Sequence, residues 1–253
     1  MVIVITGVGS GLGFELARRY ISKGHKLYLL SRNSESMQKL SDLAKNIGVE
    51  CFYYEVDVND FERLQYISNE ICQKEPIIDV VIANAGISAG HNASVQEFTV
   101  FRRIININLL GVHALFEPFI HKMISQKGGK LVIISSLASF VAMPTTLAYS
   151  ASKRALNSYA DSIRLSLCEF GIKVVNIQPG FIKTPMTAKN RFKMPFLMEL
   201  KNGVDEIEWA IEKSAKNHAF PFVFANLVRF LAIIPRFLRD YLILRLSKNA
   251  YKK

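Results

Sequence analysis

Short continuous apolar runs alternate along the chain with longer stretches in which apolar residues recur every three or four positions. Residues 2–5 (Val-Ile-Val-Ile) form the first run, the pattern of a strand covered on both faces. A helix is predicted over 12–23, with Leu16, Ala17 and Tyr20 on one side and Gly24 ending it. Further strands are read over 26–31, 50–56, 78–83, 130–135 and 172–178. The helices between them are 34–47, capped by Ser34 and stopped by Gly48, and 60–74, opened by Asp60 and broken by Pro76. After a loop through His91, a long helix over 95–125 ends at Gly128 and Gly129. After a loop holding Pro144, another runs over 147–170 to Gly171. This alternation predicts an α/β fold in one domain: a doubly wound, Rossmann-type parallel sheet of about seven strands with helices on both faces.

Between the first strand and the first helix lies Gly7-Val-Gly-Ser-Gly-Leu-Gly13. Gly7, Gly11 and Gly13 allow a sharp turn, close approach of backbone to a phosphate and tight helix–strand packing. The helix start then offers free N–H groups to a pyrophosphate. At the end of the second strand an acid would accept a hydrogen bond from a ribose 2′-hydroxyl, and a base would pair with a 2′-phosphate. The residues there are Ser31, Arg32 and Asn33, and the guanidinium of Arg32 suits phosphate. NADP(H) is therefore expected ahead of NAD(H).

Tyr149-Ser-Ala-Ser-Lys153 puts a phenol and an amine one helical turn apart on one face. A phenol with a pKa of about 10 is a poor proton carrier at neutral pH. A fixed ammonium beside it is expected to lower that value and make Tyr149 a general acid/base for an alcohol or carbonyl.

Composition adds bounds. The 253 residues are 50% apolar and 21% charged, as in a soluble globular domain with a sizeable core. Cys51, Cys72 and Cys168 are far apart and fit a reducing compartment without disulfides. The five histidines show no metal-ligand spacing, so no metal is expected. No secretion signal is read before the first strand, and the cytoplasm is the expected compartment. From Ala219 onward there are seven basic residues (Arg229, Arg236, Arg239, Arg245, Lys248, Lys252 and Lys253) and one acid, Asp240, much of the chain's net +11. Such a tail suits an acidic partner such as anionic lipid. No recognition element supports nucleic-acid binding.

These motifs in this order resemble the short-chain dehydrogenase/reductase family from Val2 to about Thr184. The resemblance rests on 6–13 (Thr-Gly-Val-Gly-Ser-Gly-Leu-Gly), Asp57-Val58, Asn84-Ala85-Gly86, Asn108 with Gly111, Ser136, Tyr149 with Lys153, and Pro179-Gly180 through Thr184. It implies a cofactor site of Gly7, Ser10, Gly11, Leu12, Gly13, Arg32, Asp57, Val58, Asn84, Ala85, Gly86, Tyr149, Lys153, Pro179, Gly180, Ile182 and Thr184. Asp57 and Val58 would face the adenine, and the 84–86 segment would close the cleft near the ribose. Lys153 would hold the nicotinamide ribose, and Pro179, Gly180, Ile182 and Thr184 would seat the nicotinamide amide. The implied catalytic set is Asn108, Ser136, Tyr149 and Lys153. Tyr149 would act as general acid/base and Ser136 would hold the substrate oxygen, with Ser135 a less well-spaced neighbour. Asn108 would support a water-linked relay through Lys153. The implied function is reversible hydride transfer between a carbonyl and a secondary alcohol. The alternative is a non-catalytic dinucleotide-binding redox sensor or scaffold.

Beyond Thr184 the pattern carries less. Met186, Phe192, Met194, Pro195, Phe196, Leu197 and Met198 suit a lid around 185–205 over an apolar small-molecule substrate. A last strand is read at 220–224. The domain is taken as 1–225, with 226–253 as a basic amphipathic helical extension that Pro235 kinks or splits. Leu227, Phe230, Leu231 and Ile234 are read as one face, and Phe237, Leu238, Tyr241 and Leu242 as another. Its arginines exclude a membrane span and allow peripheral contact with an anionic membrane, or packing on protein. A homo-oligomer, dimer or tetramer, is expected, although the extension replaces the segment through which family members commonly pack their subunits.

Overall fold

The computed structural model of the chain describes residues 1–88, 96–190 and 192–247. The loop expected through His91, the helix start expected at Val95, and Lys248, Lys252 and Lys253 lie outside them. Seven parallel strands, β1 (Val2–Thr6), β2 (Lys26–Ser31), β3 (Cys51–Glu55), β4 (Val80–Ala83), β5 (Gly129–Ile134), β6 (Ile172–Pro179) and β7 (Asn217–Phe220), stand in the order 3-2-1-4-5-6-7. The order reverses between β1 and β4, which leaves a crevice at the carboxyl ends of these two strands.

Each face of the sheet is covered. Val4 of β1 points to one side and Ile3 and Ile5 to the other, the period of two that a strand imposes. On the Val4 side lie α3 (Phe61–Lys74), the helical run from α4 (Phe98–Ile105) into α5 (Gly111–Gln126), and α6 (Leu147–Ser166), through Ile67, Phe116, Phe119 and Leu156. On the other side lie α1 (Gly11–Ser22), α2 (Ser34–Asn46) and α7 (Leu200–Glu212), through Leu16, Leu40 and Ile207. Burial of each such side chain favours the fold by about 1.5–3 kcal/mol. Arg19 of α1 ties α7 down through Asp205 at 2.5 Å and Glu208 at 2.8 Å.

Four expectations are corrected. Asn33, not Ser34, caps α2: its Oδ1 accepts from the Ser36 N–H at 2.9 Å. The expected long helix is interrupted by a π-helical turn, Asn106–Leu110, that separates α4 from α5. The last strand is Asn217–Phe220, and 222 onward is helix: α8 (Phe222–Ile233) and α9 (Arg236–Ser247). Proline 221 after β7 has no N–H to give a ladder and suits a helix entry instead. α8 runs across the 225/226 boundary, and the break between α8 and α9 falls at Pro235. Leu227 and Phe230 are exposed, whereas Val228 and Leu231 pack inward, so the residues read as one face of α8 divide between two. Residues 98–126 are long and apolar enough to cross a membrane, and over half of their most apolar part is buried, as in the core helix that they form here.

Candidate active site

β1 delivers the glycine turn to the mouth of the crevice. Gly7 has φ +73° and its N–H donates to the Leu30 carbonyl at 2.9 Å. A Cβ on Gly7 would meet the Ala85 Cα at 2.7 Å, and one on Gly13 would meet the Asn84 Nδ2 at 2.3 Å. The turn is thus packed against the end of β4, and no side chain fits there. Thr6 fastens the same junction: its Oγ1 accepts from the N–H groups of Asn84 (3.1 Å) and Ala85 (3.2 Å). The Asn84 amide donates to the carbonyls of Thr6 and Gly7, both at 3.0 Å. Asn84 therefore holds the glycine turn in shape.

Ser10, the N-cap of α1, makes no side-chain cap, so first-turn N–H groups are left to the crevice that Ser10, Gly11 and Leu12 line. A Cβ on Gly11 would meet Thr184 at 3.3 Å, so the segment after β6 closes over the helix start. Thr184 is held by Thr187, whose Oγ1 accepts from the Thr184 N–H at 3.0 Å. The cleft measures about 590 Å³. Along it stand Gly7, Ser10, Gly11, Leu12 and Gly13; Arg32, Asp57 and Val58; Asn84, Ala85 and Gly86; Ser136, Tyr149 and Lys153; and Pro179, Gly180, Ile182 and Thr184. Asn108 alone of the expected residues is not on its wall and lies fully buried behind it. Arg32 and Asp57 meet each other, Nη1 donating to Oδ2 at 3.4 Å. The backbone cradle, the open helix start and the cleft's extent fit a dinucleotide.

At the far end Ser136 and Tyr149 share the cleft wall, near enough for Ser136 to act on the proton affinity of the phenol. The Ser136 hydroxyl accepts from the Ala138 N–H at 3.1 Å. Ser135 points elsewhere: its hydroxyl donates to Asn157 Oδ1 at 2.8 Å and is buried. Lys153 is 4% exposed, and its Nζ donates to the Ile134 carbonyl at 2.7 Å. Burial pulls its pKa from 10.5 down to about 8. The expected lowering of the Tyr149 pKa is corrected. Burial pushes it up, and the neighbouring Ser136 is what acts in the opposite direction. The reason is geometric: the Lys153 amine lies over the ring face, 5.8 Å from its centroid, and bonds to a carbonyl.

Asn108 sits in the π-helical turn. Its Oδ1 accepts from the Ile87 N–H at 2.8 Å, and its Nδ2 donates to the Ile87 carbonyl at 2.9 Å and to Ser152 Oγ at 3.1 Å. A Cβ on Gly86 would lie 3.4 Å from Asn108 Oδ1 and 3.6 Å from Lys153 Nζ, so both groups border the gap beside Gly86. Gly111 admits the Val58 carbonyl, 2.7 Å from where its Cβ would be. Sequence reasoning missed Thr6, Ser152 and Asn157. The last accepts from Ser135 and Asn176 and donates to Ser139 at 2.7 Å, bracing the segment that carries Ser136. Their signal was one of chemistry alone: small polar residues on otherwise apolar inner faces.

A glycine turn at the switch point of a doubly wound parallel sheet defines a dinucleotide-binding α/β protein. Residues 1–194 match the family model for short chain dehydrogenases. An oxidoreductase of Myxococcus xanthus, itself described as uncharacterized, is 34% identical over 241 residues, 94% of each chain. The fold is similar to a short-chain dehydrogenase from Sphingobium yanoikuyae in complex with NADPH (TM-score 0.80, 21% identity, 93% of this chain and 96% of that one). It is likewise similar to one from Mycobacterium paratuberculosis bound to NAD (0.77, 21%, 86% and 95%). The chain belongs to the short-chain dehydrogenase/reductase family. It is an oxidoreductase of the CH–OH group.

Proposed function

We propose that the chain interconverts an apolar ketone and secondary alcohol, prefers NADP(H), and uses Tyr149 as its general acid/base. The observation that carries this is the placement of Ser136, Tyr149 and Lys153 together on the wall of the cleft that begins at the glycine turn. The bound nicotinamide supplies or accepts the hydride. Gly7, Ser10, Gly11, Leu12 and Gly13 hold the pyrophosphate by backbone N–H groups, and Asp57, Val58, Asn84, Ala85 and Gly86 border the adenosine and ribose. Pro179, Gly180, Ile182 and Thr184 seat the nicotinamide. In reduction the Tyr149 phenol gives its proton to the substrate oxygen while Ser136 donates a hydrogen bond to that oxygen as charge develops. Lys153 and Asn108, facing one gap beside Gly86, return a proton to Tyr149 through water. Arg32 supports NADP(H), with no acid at the end of β2 to favour a free 2′-hydroxyl.

A cluster of aromatic rings stands behind Gly180 of the cleft wall. Phe181 meets Phe192 edge-on at 5.8 Å and Phe224 at 5.9 Å, and Phe224 stacks with Phe196 at 5.5 Å. These rings lie on the segment after β6 and on α8, which supports an apolar substrate beneath a lid around 185–205. Residues 1–225 are taken as the catalytic unit and 226–253 as its extension, in a cytoplasmic homo-oligomer. A panel of ketones and secondary alcohols of graded chain length, assayed with NADPH, NADH and their oxidised forms, tests the reading. Rising kcat/KM with apolar chain length and NADPH preferred is the expected result. Tight cofactor binding with no turnover on any of them would replace it with the redox-sensor alternative.

A further inference from the structure

α8 and α9 carry apolar side chains on two sides. The inner side closes a small core of Val141, Val228 and Ile243, with Phe140, Phe224 and Leu231 around it. The outer side is open: Phe222 is 78% exposed, Ile233 80% and Phe237 78%, and Val223, Phe230 and Tyr241 are exposed with them. Single exposed apolar residues are ordinary, but a run of them on two consecutive helices marks an interaction surface. Each helix has 12 residues, too few to cross a bilayer of about 30 Å hydrocarbon at 1.5 Å per residue.

The charge on this surface is one-sided. Arg229, Arg236, Arg239 and Arg245 stand on the two helices, and their one acid, Asp240, is paired with Arg239 at 3.4 Å. A second copy meeting this face about a two-fold axis would bring arginines against arginines with little acid between them. An anionic bilayer surface offers what the segment lacks: negative headgroups at the level of the guanidiniums, and hydrocarbon just below for phenyl and aliphatic side chains.

The geometry points to the outer face of α8 and α9 as a docking surface for anionic phospholipid membrane. Phe222, Phe230, Ile233 and Phe237 enter the headgroup–acyl boundary, and Arg236 and Arg239 meet phosphates. The inner side of the same helix reaches the cleft. Phe224 of α8 stands 3.2 Å from where a Cβ of Gly180 would be, and stacks on Phe181 and Phe196. Docking therefore sets the aromatic wall beside the bilayer, where an apolar substrate leaves the lipid and enters the cleft. That last consequence rests on the proposed oxidoreductase reading; the docking itself does not.

Flotation of the full chain with vesicles tests it, without substrate. Vesicles are phosphatidylcholine alone or mixed with phosphatidylglycerol, at low and high salt. The chain is expected to float with the mixed vesicles at low salt, and to lose binding in high salt or without phosphatidylglycerol. Combined Phe230→Ser, Ile233→Ser and Phe237→Ser should lower the partition coefficient by about tenfold or more. Combined Arg236→Glu and Arg239→Glu should remove the preference for phosphatidylglycerol. Both variants should keep the melting temperature and the cofactor affinity. No flotation of the unaltered chain at low salt, or equal flotation of both variants, overturns the proposal. So does a solution oligomer that the triple serine variant dissociates while the unaltered chain ignores vesicles, which would assign the face to a second copy. Docking without turnover would leave this inference standing and remove only the oxidoreductase reading.

Discussion

Lys153 Nζ lies 5.8 Å from the centre of the Tyr149 ring, one helical turn away, and is hydrogen-bonded to the Ile134 carbonyl at 2.7 Å. Burial lowers the affinity of the amine for its proton and raises that of the phenol. In the chain by itself the amine therefore loses its proton first, and above about pH 8 the pair is an uncharged amine beside an uncharged phenol. A positive charge held this deep in the sheet is costly, and a ligand offering hydroxyls to it would repay part of that cost.

Stability of the cofactor-free protein should record this. The pKa of Lys153 is about 8 when folded and 10.5 when free. Between these values the unfolded chain binds the proton that the folded chain has released, so this group makes stability rise with pH across that window. Below it the full cost of burying the ammonium is present, on the order of 3 kcal/mol. Urea unfolding of Lys153→Met against the unaltered chain should show the variant more stable at pH 7, with the difference shrinking from pH 8 towards 10.

Tyr149→Phe keeps the ring and removes the hydroxyl and its proton. Turnover is expected to fall by about 10²–10⁴-fold, the range for loss of a general acid/base. The dissociation constant for NADPH, read by fluorescence, should stay within about twofold, because the ring stays in place on the cleft wall. Turnover within a few-fold of normal on a good substrate would remove the role.

Arg32→Ala should raise the KM for NADPH by about ten- to a hundredfold, the size of a charge-assisted hydrogen bond of about 1.5–3 kcal/mol. The KM for NADH should barely move. The same change frees Asp57 from its 3.4 Å partner, and a mild improvement with NADH is consistent with that release. Steady-state kinetics with both cofactors gives the answer, and a parallel loss with both would argue against a 2′-phosphate contact.

Gly13→Ala places a Cβ 2.3 Å from the Asn84 amide and 2.4 Å from the Gly7 carbonyl. Relief requires the turn to open, at a cost of about 1–3 kcal/mol in overpacking. Unfolding midpoints should drop, and NADPH affinity should fall with them. The fall in affinity should persist under conditions where the variant is fully folded.

Much of this could be read from residue pattern because the informative parts obey strong local rules. The inner strands β1, β2, β4, β5 and β6 are mostly buried on both faces, so they appear as apolar runs. The glycine turn must be glycine, since its Cβ positions are occupied by β4. β7 was misplaced because it is a four-residue edge strand, Asn217–Phe220, with little apolar content. α7 escaped notice beside it. The Asn33 cap lost to Ser34 on sequence because both residue types cap helices and only the backbone chooses between them. The proton affinity of Tyr149 was misjudged because spacing reports that two groups share a helix face and says nothing of how the amine is aimed.

The π-helical turn at Asn106–Leu110 makes length itself a coordinate of the site. Upstream, this stretch aims Asn108 at Ile87 and Ser152; downstream, Gly111 must lie against the Val58 carbonyl. Removing one residue here would rewind the segment to regular pitch and take Asn108 off the angle at which it meets Ile87 and Ser152. Asn108 and Gly111 could not both keep their aim. The helix is thus keyed like a lock barrel, and shortening it by a single unit would jam it, whatever residue was taken out.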